Sequence, residues 1–346
     1  MKLTNKPYIT IITPCYNEEA ILGANIQTIL SYLKSKEEKY KWEVLIVNDG
    51  SIDKTGSVAE KIAATENSVR VIHHPHNFNL GNALQTGFKN AEGDIIVVLD
   101  IDLSYSVEHI EVLVDTLIQA SADIVVASPY IKGGRVTNVP FFRKIMSKWV
   151  NMFMRFSAQD KYYTFTCMVR AYRSSFIRTV NLKTKDYEIN PEIMYKAMIL
   201  RARLVEIPAH LDWTEQMKFA GKRVSSIKIL RGFFSGLMAA FIFRPYIFYI
   251  VLGVILMILS IIETGRMVIA TISNIRECIS NHSIACSFKD SFIQQFIDNP
   301  FPMIVGTISF LVAIQFISLG FISLQNKRYF EELFHLGTAI KKNQTI

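Results

Sequence analysis

The sequence predicts an α/β domain, a mainly parallel sheet flanked by helices, followed by interfacial helices and two transmembrane helices. Three observations carry this. Up to about residue 130, short apolar runs alternate with helix-length amphipathic stretches, the signature of successive βα units. Several of the apolar runs end in polar clusters, where ligands of such sheets bind. Beyond residue 244 lie two uncharged apolar stretches long enough to cross a hydrocarbon core.

Taken in order, Tyr8 to Thr13 reads as a strand and Glu19 to Leu33 as a helix. Glu43 to Val47 is a strand ending in "NDGS", and Lys54 to Thr65 is helical. Val69 to His73 is a strand, Asn82 to Ala91 a helix, and Ile95 to Leu99 a strand. Val107 to Ala120 is helical and Ile124 to Ser128 a further strand. The polar clusters Pro14–Glu19, Asn48–Thr55 and Asp100–Ser104 then share one sheet edge. In "IIVVLDIDLSY", a strand continued through Asp102 would place Asp100 and Asp102 on the same face. Such a pair reads either as a solvated strand end or as a site for a divalent cation.

Residues 139–156 (VPFFRKIMSKWVNMFMRF) are a basic amphipathic helix with aromatic residues at helical spacing. Insertion at a lipid headgroup layer and packing against the domain are both open readings. Residues 225–243 read as a second interfacial helix. Pro245 to Ile262 and Pro302 to Leu324 contain no acidic or basic side chain and are the expected spans. The domains are therefore expected at 1–230 and 231–346.

Net charge is +8. Lys222, Arg223, Lys228, Arg231 and Arg244 precede the first span, and Lys327, Arg328, Lys341 and Lys342 follow the second. The segment between the spans is mixed in charge. The positive-inside rule places both termini and the first domain in the cytoplasm, in an inner membrane. The N-terminus shows no signal-peptide pattern. Basic charge beside the spans fits anionic lipid and argues against nucleic acid. Four cysteines fit no zinc spacing; Cys278 and Cys286 share the outer loop and can pair there. The sequon at Asn281 carries no meaning in a prokaryotic inner membrane.

The ordered blocks "TPCYNEE" (13–19), "VNDGSIDKT" (47–55), "GNALQTGFKNAEGD" (81–94) and "LDIDLSY" (99–105) resemble the family 2 glycosyltransferases of GT-A fold. "TCMVRAYR" (166–173), "YEINPEIMYKA" (187–197) and "LVEIP" (204–208) are similar to the dolichyl- or polyprenyl-phosphate sugar synthase branch. The resemblance extends to about residue 230. It implies a nucleotide-sugar donor, a polyprenyl phosphate acceptor and Mg²⁺ or Mn²⁺. A divalent metal neutralises charge building on the departing diphosphate. Hard cations of this kind take a few carboxylate oxygens and keep water and phosphate elsewhere.

By the same resemblance Asp102 is the metal ligand, and Asp100 its partner or a contact to ribose or sugar. Ser104 stands where many relatives have Gln. Asp49 corresponds to the aspartate that meets the nucleobase, of uracil or guanine; relatives often read Asp where this chain has Asn48. Pro14, Tyr16 and Glu18 are the expected base and ribose wall, Tyr16 being alternatively a core residue. Gly81 falls at a phosphate loop that lacks the family's Lys and second Gly. Arg135 and Arg170 are the candidate cations for acceptor phosphate. Glu188 and Glu192 are candidates for orienting sugar hydroxyls. Lys222, Arg223 and Ser225 fall at a loop expected to close over the donor.

An anionic lipid phosphate needs no general base, and direct attack would invert the anomeric centre. A hydroxyl acceptor on a lipid or glycan is the alternative and would need a carboxylate base, with Asp160, Asp186 and Glu188 as candidates. An inactive nucleotide-binding scaffold of an envelope complex is the alternative of another class. Processive polysaccharide synthesis is disfavoured, since its Gln-x-x-Arg-Trp signature is absent. Sugar identity and oligomeric state stay open, association through the spans being one possibility.

Overall fold

In the computed structural model, residues 6–158, 162–214, 245–280 and 287–344 are described. The chain divides into two compact units, 1–240 with 333–346, and 241–332. The interfacial helix expected at 225–243, the basic loop with Lys222, Arg223 and Ser225, and Asp160, Asn281 and Cys286 lie outside the described residues.

The first unit is built on a seven-stranded sheet. Its strands are β1 (Tyr8–Cys15), β2 (Lys41–Asn48), β3 (Val69–His73), β4 (Ile95–Val98), β5 (Ile124–Ser128), β7 (Arg170–Arg173) and β8 (Leu204–Pro208). Their spatial order is β3-β2-β1-β4-β7-β5-β8. All neighbours are parallel except β7, which runs antiparallel between β4 and β5. A separate pair, β6 (Arg135–Thr137) and β9 (His210–Asp212), is parallel. β1 and β2 are buried over nearly their whole length, as central parallel strands with both faces covered must be.

Helices α1 (Glu19–Lys34), α2 (Thr55–Thr65), α3 (Leu80–Asn90) and α4 (His109–Gln119) follow the strands in the expected alternation. α1 buries Leu22, Ile26, Ile29, Leu30 and Leu33, one stripe at helical spacing. α3 lies flush on β1: a Cβ at Gly87 would sit 2.7 Å from the Ile12 side chain. α5 (Phe141–Ala158) is the expected amphipathic helix. Its Phe141, Ile145, Trp149 and Met152 are exposed, a stripe along one face, while Asn151 and Met154 face inward. α6 (Ser174–Ile177) is one turn, and α7 (Ile189–Ile199) is buried almost all round.

The N-terminal edge of this sheet holds a closed polar network. Buried Glu43 accepts from the Thr10 hydroxyl at 2.5 Å, the Glu92 N–H at 2.7 Å and Arg70 Nη1 at 2.9 Å. Thr10 also receives the Gly93 N–H at 2.8 Å.

The second unit contains α8 (Pro245–Ser280), α9 (Phe288–Asp298) and α10 (Phe301–Gln344) up to Glu332. α8 and α10 are long and apolar enough to cross a membrane. They pack antiparallel along small residues at seven-residue spacing. Gly253 meets Ala313 and Ile317, Gly320 meets Ile250, and the Ser260 hydroxyl donates to the Gly306 carbonyl at 2.8 Å. Small residues at such a seam let the two backbones approach closely. Both helices run past the expected span ends at 262 and 324, because the charged residues there are good helix formers. Glu263, with Arg266 at 3.0 Å, falls just beyond the first uncharged run. Cys278 is disulfide-bonded, whereas Cys15 and Cys167 are free and buried.

Candidate active site

The loops after β1 and β2 are laced together at the C-terminal edge of the sheet. The Asn17 N–H donates to Ser51 Oγ at 3.0 Å, and the Ile52 N–H returns a bond to Asn17 Oδ1 at 3.0 Å. The Glu18 N–H donates to Thr55 Oγ1 at 2.7 Å, and the Lys54 N–H to Glu19 Oε2 at 2.8 Å. Asp53 accepts from the Thr55 N–H at 2.9 Å and the Glu19 N–H at 3.2 Å. Much of "YNEE" and "NDGSIDKT" is thus spent on holding the two loops to each other. Gly50, at φ +66°, has no room for a side chain, since a Cβ would lie 2.1 Å from the His76 backbone.

Pro14 is buried on β1, Tyr16 is 42% exposed, and Glu18 is half-buried between them and α1. Tyr16 is therefore a surface ring at the edge and not a core residue.

β4 ends at Val98, so Asp100 and Asp102 are not strand residues as expected. A turn closed by the Leu103 N–H on the Asp100 carbonyl at 3.1 Å brings them together instead. Ile101 between them is buried, and its carbonyl accepts from Asn25 Nδ2 at 2.8 Å. Leu103 sits at φ +51°, a left-handed conformation that costs a branched residue about 1–3 kcal/mol. The Ser104 N–H donates to Asp102 Oδ1 at 2.9 Å.

These acids crowd one another. Burial, then Asp102, then Glu18 push the Asp100 carboxyl well above its ordinary value. Burial, then Asp102 and Asp53 push Glu18 up to about 7. Like charges held together in a fixed turn fit a divalent cation, whose charge would offset the repulsion. Among the described residues no three His, Cys, Asp or Glu side chains form a closed metal cage. Asp100 and Asp102 thus fit an open site that leaves positions for water and phosphate.

Beside these acids is a cavity of about 270 Å³ lined by Asp100, Asp102, Tyr130, Arg143, Tyr187 and Trp213, among others. The Arg143 guanidinium stacks 4.1 Å from the Trp213 ring and lies within electrostatic reach of Asp102. Lys144, the next residue, and Ser147, one turn on, also line it. Arg143 appears in the sequence only as one basic residue of an amphipathic helix, and only the fold distinguishes it from its neighbours.

Several expected site residues have other work. Arg170 is fully buried, with Nη2 on the Phe165 carbonyl at 2.7 Å and Nη1 on the Asn190 carbonyl at 3.1 Å. It ties β7 to α7 and cannot reach an acceptor phosphate. Arg135 is exposed on β6 and does not line the cavity. Glu192 is buried, accepting from the Lys183 and Thr184 N–H groups at 2.9 Å each and from Lys196 at 2.5 Å. Those bonds leave it no role with a sugar hydroxyl. Glu188 is half-buried at the start of α7 and is not a cavity-lining residue. Gly81 gives its N–H to the Lys185 carbonyl at 2.9 Å, and a Cβ there would meet the Thr184 carbonyl at 2.5 Å. It allows α3 to dock on the 184–186 segment and offers no N–H to phosphate. Asp49 is buried and accepts from the Phe78 N–H and from His74.

Residues 10–182 match the model for glycosyl transferase family 2. The chain is 32% identical over 206 residues to the dolichol-phosphate mannosyltransferase of Pyrococcus furiosus, covering 58% of this chain and 55% of that protein. It therefore spans little more than half the length of that relative. It is 30% identical over 213 residues to the polyprenol monophosphomannose synthase of Mycolicibacterium smegmatis, covering 60% of this chain and 77% of that one. Among solved structures, the glucosyl-3-phosphoglycerate synthase of Mycobacterium tuberculosis bound to UDP superposes with a TM-score of 0.51 at 16% identity. That match covers 68% of this chain and 80% of that chain. The same protein with Mn²⁺, UDP and glucosyl-3-phosphoglycerate gives 0.50 at 17% identity, over 68% and 80% of the two chains. At such identity the likeness shows the fold, which is GT-A.

Proposed function

The chain belongs to glycosyl transferase family 2, and we propose that it moves a sugar from a nucleotide-sugar to polyprenyl phosphate, inverting the anomeric centre. A UDP-sugar is the favoured donor and undecaprenyl phosphate the favoured acceptor, for cell-envelope glycan synthesis. One observation carries the reading: crowded acids and a ring-stacked arginine share a cavity at the C-terminal edge of the sheet. Acids of that kind suit a metal-bound diphosphate, and the arginine suits a second, separate phosphate.

Asp102, with Asp100, would hold Mg²⁺ or Mn²⁺, which supplies Lewis-acid charge for the departing diphosphate. Arg143 and Lys144 hold the acceptor phosphate in the cavity. Its oxygen is already anionic at pH 7 and needs no base. That oxygen bonds to the anomeric carbon as the bond to the diphosphate oxygen breaks, and the nucleoside diphosphate leaves with the electron pair. Tyr16, exposed at the edge, provides a ring for base or ribose.

Membrane attachment follows from the acceptor, whose chain lies in lipid. The two apolar helices supply it, and the exposed stripe Phe141, Ile145, Trp149 and Met152 on α5 suits the headgroup layer. A catalytic unit in the cytoplasm puts the far end of α8 outside, where the disulfide at Cys278 is chemically at home.

The test is direct. Full-length protein with Mn²⁺ or Mg²⁺, undecaprenyl phosphate and a panel of nucleotide-sugars should yield a glycosyl-phospholipid, identified by mass spectrometry. Transfer to lipid or glycan hydroxyls with none to lipid phosphate would replace this acceptor with another.

A further inference from the structure

Glu188 and Glu192, the residues that the sequence offers for orienting a sugar, stand four positions apart and so share one side of α7. Asn190 lies two positions from each, about 200° round the helix, and it lines the cavity that they do not. Only 2% of its surface is exposed. Its backbone carbonyl accepts from Arg170 Nη1 at 3.1 Å, so a buried guanidinium fixes the residue in place. Its side-chain Oδ1 is sealed from bulk solvent and has no hydrogen-bond partner among the described residues. An amide oxygen buried in that way bears its full desolvation cost, and native chains seldom carry one without a use. Other neutral groups around the cavity are already engaged: Thr164 with Ser128, Thr166 with Asn151, and Ser147 with Tyr130.

We propose that Asn190 reads a hydroxyl of the donor sugar and thereby helps to select which sugar is transferred. The inference rests on the reading above, in which the diphosphate lies at Asp100 and Asp102 and the acceptor phosphate at Arg143. The anomeric carbon lies between those two groups, so the rest of the ring faces the remaining wall, to which the first turn of α7 contributes Asn190. A hydroxyl both donates and accepts, and a carboxamide offers the matching acceptor and donor. The terminal torsion of asparagine is broad, so either end of the amide can meet the hydroxyl. A sugar with hydrogen at that position leaves the amide unpaired, which is how a polar site rejects a deoxy analogue.

The experiment uses full-length protein in detergent with Mn²⁺, undecaprenyl phosphate and a panel of UDP-glucose, UDP-galactose and GDP-mannose. The donor used best is then compared with its monodeoxy analogues, in the unaltered protein and in Asn190→Ala. For the parent sugar and all but one analogue, the variant should lose about 10–100-fold in kcat/KM. For the remaining analogue, which lacks the hydroxyl that Asn190 reads, the two proteins should agree within about twofold. A damaged fold lowers every donor alike and cannot give this pattern. Affinity for UDP with Mn²⁺ should be unchanged, and the ligand-free melting temperature should hold or rise, because an unpaired amide has been removed.

A uniform loss across all donors, or no loss with any, overturns the role given to Asn190 while leaving the transferase reading standing. A lowered ligand-free melting temperature with unchanged selectivity overturns it too, and makes the amide part of the fold. An unaltered protein that transfers from no nucleotide-sugar takes the transferase reading down, and this inference with it.

Discussion

The two edges of the central sheet treat carboxylates in opposite ways. At the N-terminal edge Glu43 is buried but has a hydroxyl, a backbone N–H and a guanidinium on its two oxygens. At the C-terminal edge Glu18, Asp100 and Asp102 are less buried, and the charge of Asp102 raises the pKa of both Asp100 and Glu18. Burial therefore does not separate structural acids from functional ones. Compensation does. An acid answered by a cation and several donors stabilises the fold, whereas under the proposed function the mutual repulsion of Glu18, Asp100 and Asp102 is offset by the metal. Glu192, answered by Lys196 and two N–H groups, belongs with Glu43, although its sequence block points toward the site.

The sharpest way to break this contrast is Asp102→Ala. Transfer should fall about 10³-fold, the order seen when a transition-state charge loses its stabilisation. The metal-free melting temperature should hold or rise, because a repulsion is removed. Full activity in this variant would end the metal role. Next is the cation of the same edge. Arg143→Ala should lower kcat/KM for lipid phosphate about 10–100-fold, while Arg135→Ala, on the outer two-stranded pair, should change it less than about twofold. Equal losses would show that position in the cavity does not matter.

At the other edge, Glu43→Gln should cost about 2–4 kcal/mol of stability in denaturant melts, because a buried network loses its charge and one acceptor. KM and kcat of the surviving folded enzyme should stay unchanged. The smallest effect concerns pH. Glu18 titrates near 7 when folded and near 4.5 when unfolded, so the folded state holds the extra proton between those values. Metal-free stability should therefore decline as pH rises from about 4.5 to 7. Mn²⁺ should raise the melting temperature more at pH 7.5 than at pH 5. A pH-independent metal effect would detach Glu18 from the cluster.

Most of the α/β frame is legible in the sequence, because each strand is a continuous apolar run and each helix carries a periodic stripe. The strands β1, β2, β3 and β5 and the helices α1 to α4 lie within two or three residues of where the pattern puts them. β6 and β9 are not legible: three residues leave no periodicity, and their pairing spans over seventy positions of chain. The i, i+2 spacing of Asp100 and Asp102 points to one face of a strand, whereas the structure brings them together in a turn, since strand and turn give the same letters. Arg170 shows the limit most plainly. A basic residue at the start of a strand reads the same whether it meets phosphate or two buried carbonyls, and α7, twenty residues on, decides which.

The antiparallel β7 has a consequence beyond the sheet. β5 leaves it at Ser128 and β7 re-enters beside it at Arg170, with the Ala127 N–H already on the Val169 carbonyl at 3.1 Å. The chain between, with α5, Arg143 and the exposed aromatic face, is an excursion whose two ends meet. Exchanging it leaves the register of the seven-stranded sheet intact, provided that the pairing of β6 with β9 is kept. If acceptor preference moves with residues 129–169 when they are grafted between relatives, the proposed placement of the acceptor phosphate at Arg143 is supported; if it does not, that placement fails.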